Sequence, residues 1–159
     1  LSLHDALPIY LLNPAFCGRV MYATVAEYQK KSSRDLPFPL AYLVLPLVLP
    51  LRTRREISSR THLINWTNEH QSLLYDFGKR AKDLVETTNE ALEFMLQTHC
   101  IIVTEQGELS CNSAVRGLGG GRFVDAEAKD CLVKAGHVAR WFVSAGKVET
   151  IYICLGVRP

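Results

Sequence analysis

The stretch TTNEALEFMLQTHCIIVTEQGELSC, residues 87–111, decides the fold class. Ala91, Leu92, Met95 and Leu96 recur at i, i+1, i+4 and i+5, which lays one apolar stripe along a helix. The period then changes. Ile101-Ile102-Val103 is a β-branched run, Glu105-Gln106-Gly107-Glu108 has turn composition, and Leu109 to Cys111 can return as a second strand. Thr87 and Glu90 have the spacing of a capping box, so the helix is expected to start there. Upstream, Leu63, Ile64 and Trp66 suit one helix, and Leu73, Leu74 and Phe77 continuing to Ala81, Leu84 and Val85 suit another. Three helices followed by a hairpin is the order of a winged helix-turn-helix, and residues 61–115 are expected to form such a unit.

Helical segments flank this unit. Asn13-Pro14 pairs an Asn cap with proline at the first helical position, and the helix should run to about Lys31, where Ser32 to Pro37 breaks it. The apolar run Leu36 to Leu51 is interrupted by prolines and followed at once by Arg52, Arg54 and Arg55. It falls short of the ~20 residues of a membrane span and reads as a buried helix kinked at Pro46. Thr53 and Glu56 again have capping-box spacing, suggesting a short helix that enters a turn at Ser58-Ser59. Residues 10–60 thus form an N-terminal helical segment. After the glycine run 117–121, read as a linker, Asp125 can cap a long helix that Gly146 ends. Its face carries Ala128, Cys131, Leu132, Ala135, Val138, Ala139, Phe142 and Val143 at clean 3/4 spacing, so residues 116–159 should pack on the same core. The overall expectation is a mainly α chain with a small β-hairpin, a winged helix-turn-helix-like core and flanking N- and C-terminal helices. Residues 1–9, LSLHDALPI, read as one translated frame of a common sequencing-adapter oligonucleotide and are set aside as a non-native scar.

Composition narrows the functional classes. The chain of 159 residues is 48% hydrophobic and 21% charged, which argues against wholesale disorder. Its net charge of +2 is too small to argue for nucleic acid or membrane. Five cysteines, none in a C-x-x-C pair, read as free buried thiols in a reducing cytoplasm. His62, His70, His99 and His137 lack metal-ligand spacing, and the glycine run lacks the Lys-Ser/Thr of a phosphate-binding loop. No catalytic, cofactor or metal residues are assigned, and the chain is expected not to be an enzyme. A thiol enzyme using Cys100 or Cys111 ranks last among the readings considered.

Charge distribution says more than its sum. Between Asp83 and Val115 stand six acids, Asp83, Glu86, Glu90, Glu93, Glu105 and Glu108, with no Lys or Arg. That window holds the would-be recognition helix and wing. Gripping a phosphate backbone needs cations there, so an acidic face disfavours reading of the major groove. Arg52, Arg54, Arg55 and Arg60 make the one dense basic cluster and are candidate contacts for nucleic-acid backbone or an acidic partner.

With these pieces in place, the chain resembles a known family. Tyr10–Gly18 (YLLNPAFCG), the Leu36–Leu51 stretch, Thr53-Arg54-Arg55-Glu56, Trp141-Phe142 and the ending Leu155-Gly156-Val157-Arg158-Pro159 match in order the middle component of three-component ABC-ATPase systems of bacteria and archaea. Within that pattern Asn13, Pro14, Phe16, Trp141, Gly156, Arg158 and Pro159 are taken as structural. The resemblance implies two partners from the same operon, an ABC-type ATPase and a larger third component. It also implies a role in conflict with phage or mobile elements, without an active site in the middle component. The functional expectation is a non-catalytic adaptor that bridges the two, in the cytoplasm, with any nucleic-acid contact indirect. The alternative is a winged-helix DNA-binding regulator.

Overall fold

In the computed structural model, which describes residues 9–115 and 125–158, helix α1 (Pro14–Ser32) is the axis on which the other elements assemble. Its start is the Asn-Pro signal made physical: the Asn13 carboxamide oxygen accepts from the Ala15 and Phe16 amides at 2.8 and 3.3 Å. It ends at Ser33, which takes the left-handed conformation (φ 56°) and returns its amide to the Gln29 carbonyl.

The next segment departs from a single kinked helix. Leu36–Pro37 is a short strand, β1, and Phe38–Leu40 is one 3₁₀ turn. Only then does α2 (Ala41–Val48) begin, with Pro46 inside it. Burial is as expected, since every residue from Leu43 to Leu49 is buried. Helix α3 (Leu51–Arg54) is one turn started by Pro50, and Thr53 lies inside it rather than capping it.

Helix α4 (Leu63–Glu69) buries Leu63 and Trp66 but leaves Ile64 half exposed. The helix expected from Leu73 to Val85 is broken into α5 (Gln71–Leu74) and α6 (Phe77–Asp83). Helix α7 (Val85–Gln97) starts two residues before Thr87, so the Thr87–Glu90 pair does not cap it. The hairpin follows as β2 (Ile101–Val103) and β3 (Glu108–Cys111), turned at Gly107 with φ 77°.

The sheet has a third strand. Leu36 and Pro37 of β1 pair with Leu109 and Glu108, giving the antiparallel order β1-β3-β2. The expected unit 61–115 therefore supplies two of three strands, and β1 comes from the N-terminal segment. Pro37 fits there because β1 is an edge strand and needs no ladder donor on its open side. Helix α8 (Ala126–Ala145) has its Asp125 cap, accepting from Glu127 N at 2.9 Å, and ends at Gly146 with φ 82°. Helix α9 (Val148–Cys154) follows. The glycine run 117–121 lies outside the described residues. Mainly helical, with a small three-stranded antiparallel sheet, the chain has one shared core centred on α1 against α7 and α8.

Close approach of α1 to α7 rests on Gly18. A Cβ there would stand 2.7 Å from Met95 Sδ, 2.8 Å from its Cγ and 3.4 Å from the Ala91 carbonyl oxygen. In α8, by contrast, a Cβ at Gly136 would meet nothing nearer than Glu27 Cγ at 3.9 Å. Glycine inside a helix ordinarily costs up to ~1 kcal/mol relative to alanine, so the two substitutions should have opposite signs. Gly136→Ala should raise the midpoint of urea unfolding. Gly18→Ala should lower it, costing ~1–3 kcal/mol as for an overpacked core, and the double variant Gly18→Ala/Met95→Ala should be less destabilised than the sum of the two single variants.

Candidate partner-binding surface

Of the four arginines singled out in the sequence, the structure separates one from the rest. Arg54 is 1% exposed. Its Nη1 donates to the Val48 and Leu49 carbonyls at 3.0 and 2.7 Å, its Nη2 to Glu127 Oε1 at 2.7 Å, and its Nε to Asp130 Oδ2 at 3.0 Å. The two carbonyls belong to the end of α2, where the helix stops and has no amides left to offer them. The guanidinium fork satisfies them and clamps α2 to the first turns of α8. Arg54 is thus a structural node and is not available to nucleic acid or a partner, contrary to the sequence expectation.

The other three stay on the surface. Arg52 reaches the Ser72 carbonyl at 3.4 Å, and Arg55 stands 3.8 Å from Glu56. Arg60 is exposed, its amide bonded to Ser58 Oγ. What looked like a cluster of four cations is three, one of them partly offset by a carboxylate.

The family-pattern residues sort similarly. Asn13 and Pro14 start α1, and Phe16 packs half-buried against the core. Trp141 is buried against Trp66, ring centroids 4.9 Å apart, and its Nε1 donates to the Thr61 carbonyl at 2.6 Å. Gly156 turns the chain after α9 with φ 69°. Arg158 is exposed, and Pro159 lies outside the described residues.

The acidic window becomes a surface. Thr88, Ala91, Leu92 and Met95 of α7 face inward, whereas Glu86, Glu90, Glu93 and Gln97 form an exposed stripe at helical spacing. Phe94 beside that stripe is 38% exposed, and Ile102 and Val103 of the hairpin are 44% and 45% exposed. Glu105 at the turn adds a further exposed acid. Ile102 and Val103 are successive residues of β2 and point to opposite sides of the hairpin, so each is a separate exposed apolar position near the acids. Sequence reasoning found the acids and missed the exposed apolar positions. The signal for Phe94 was its exclusion from the inward stripe at 91, 92, 95 and 96.

The thiols face the core. Burial pushes Cys17 and Cys111 up to about 12 and Cys131 up to about 11. A nucleophilic cysteine needs its thiolate near neutral pH, and these three are held away from it. Among the described residues no group of three or more His, Cys, Asp or Glu is placed to hold a metal ion. No described helix is long and apolar enough to cross a membrane.

Among known proteins, a family model described as ABC-three component (ABC-3C) system Middle Component 3 matches residues 2–159. No curated protein and no solved structure matches the chain.

The two adjacent arginines give a direct test of the node. Arg54→Met should cost ~3–5 kcal/mol, the usual loss when one partner of a buried ion pair is removed. Arg55→Met should change stability by no more than ~0.5 kcal/mol, as at an ordinary surface site. Urea unfolding followed by circular dichroism reads both, and equal losses would contradict the placement of Arg54.

Proposed function

This chain belongs to the middle component 3 family of ABC-three component systems, and we propose that it is a non-catalytic adaptor or regulatory subunit. In this reading it bridges an ABC-type ATPase and a third component in the cytoplasm of a prokaryote, within a system directed against phage or mobile elements. The observation that carries the adaptor role is that α7 and the hairpin leave both apolar side chains (Phe94, Ile102, Val103) and acids (Glu86, Glu90, Glu93, Glu105) exposed. Such a surface suits a basic partner that also offers apolar contacts. The protonated thiols at Cys17 and Cys131, buried, and at Cys111, half-buried, support the non-catalytic part of the reading.

We also read the fold as winged-helix-like, over wider bounds than 61–115. Helix α1, strand β1, the intervening helices, α7 and the β2–β3 hairpin follow the winged-helix order, and the pairing β1-β3-β2 supports it. In that arrangement α7 occupies the recognition-helix position. Its acidic stripe would be repelled by phosphates, which favours protein contact over the alternative of a DNA-binding regulator.

Co-expression with the two neighbouring gene products should yield a complex that survives gel filtration. Glu90→Lys with Glu93→Lys should weaken it at least tenfold while leaving the melting temperature unchanged. The free protein should show no salt-dependent binding to duplex DNA at low ionic strength. Failure of the three proteins to associate, or tight duplex binding by the free chain, would overturn the adaptor reading.

A further inference from the structure

A second surface of different chemistry lies where α2, α6 and the chain end meet. Tyr152 Oη donates to the Pro39 carbonyl at 2.6 Å, tying α9 to the turn that leads into α2. The chain then reverses at Gly156, whose amide returns to Ile153 O while Val157 N returns to Tyr152 O, both at 3.0 Å. This turn brings Val157 and Arg158 toward α6 and leaves a cleft of about 490 Å³. Leu43, Ala81 and Val85 form its apolar wall. Gly78 and Gly156 contribute backbone without side chains, and a Cβ at Gly78 would only just reach Gly156 O, at 3.9 Å.

The polar groups at this cleft have one sign. Lys82 and Arg158 line it, both exposed, and among the described residues no Asp or Glu does. Among the described residues neither cation has an ion-pair or hydrogen-bond partner, whereas Lys79, on the same helix as Lys82, is held by Asp83 at 2.9 Å. The two tyrosines that line the cleft, Tyr42 and Tyr152, already donate their hydroxyl protons within the protein, to Asn89 Oδ1 and to Pro39 O. A small polar ligand would therefore find few inward-facing donors to orient it. An apolar side chain can enter instead, with negative charge remaining outside beside Lys82 and Arg158.

We propose that this cleft docks an acidic segment of a partner protein that inserts one bulky apolar side chain. The proposal rests on the adaptor reading and gives it a mechanism. The α7–hairpin face is acidic and suits a basic partner, whereas this cleft is apolar and basic and suits an acidic one. The two surfaces meet at the start of α7, where Val85 lines the cleft and Glu86 begins the acidic stripe, and their opposite charge lets each select a different protein.

The experiment uses the co-expressed three-protein complex with the photo-crosslinking amino acid p-benzoylphenylalanine in place of Tyr42, an uncharged aromatic lining residue, so that Lys82 and Arg158 are kept. Crosslinked partner peptides, identified by mass spectrometry, should carry at least two Asp or Glu flanking a bulky apolar residue. Lys82→Glu with Arg158→Glu should weaken binding of that partner at least tenfold, with the melting temperature and the binding of the other partner unchanged. Gly78→Leu, which fills the cleft without altering charge, should weaken the same partner. Three outcomes overturn the cleft while sparing the adaptor: a complex that forms without crosslinks from position 42, crosslinks confined to this chain's own residues 1–8 or 116–124, or crosslinks to a basic segment. No complex at all overturns both.

Discussion

The buried guanidinium of Arg54 is the interaction around which the rest of the structure is arranged. Helix α2 is almost entirely apolar and runs through the core, so its terminal carbonyls finish where water cannot reach them. Left unpaired, each such group costs on the order of 1–3 kcal/mol. Arg54 reaches back from α3 to take the Val48 and Leu49 carbonyls, and its remaining nitrogens take Glu127 and Asp130 on α8. One side chain thus joins the N-terminal half of the chain to the helix that follows residues 116–124. The carboxylates are about a third exposed, at 29% and 42%, whereas the guanidinium is 1% exposed. The charge is neutralised from the solvent side, which suits a cation buried at the seam between two elements.

Much of this fold is legible in the sequence where a signal is local and chemically specific. Asn13-Pro14, Asp125 and Gly146 mark helix ends because each supplies a particular acceptor, ring constraint or backbone freedom, and each acts as expected. The hairpin is legible from its change of period. The capping boxes at Thr53–Glu56 and Thr87–Glu90 mislead because Thr and Glu three apart also occur where no helix starts: Thr87 and Glu90 lie inside α7, and Glu56 follows the end of α3. Thr53 instead sits buried, its hydroxyl 3.3 Å from Arg80 Nη2. Strand β1 is only two residues long and half proline, and it exists because β3 offers it an edge, which no local pattern records. Arg54 and Arg55 are chemically identical neighbours in the sequence. Only the path of α3 against α8 decides which is buried.

The candidate site was half legible for the same reason. Acid clustering is a property of composition and survives folding, so Glu86, Glu90 and Glu93 emerge as one exposed stripe. Basic clustering did not survive, because folding spent its central member on the core. A charge run on a surface helix stays a surface feature. A charge run at the end of a buried apolar helix is exposed to recruitment by unpaired carbonyls. Membership of a family defined by its place among three components fits a chain whose informative features are surfaces.

Hydrogen–deuterium exchange of this chain, alone and within the assembled complex, tests the account most directly. Slowed exchange across 86–97 and 101–108, with the surface arginine segment 51–60 unchanged, is the predicted footprint. Protection confined to 51–60, with α7 and the hairpin exchanging as in the free chain, would contradict it.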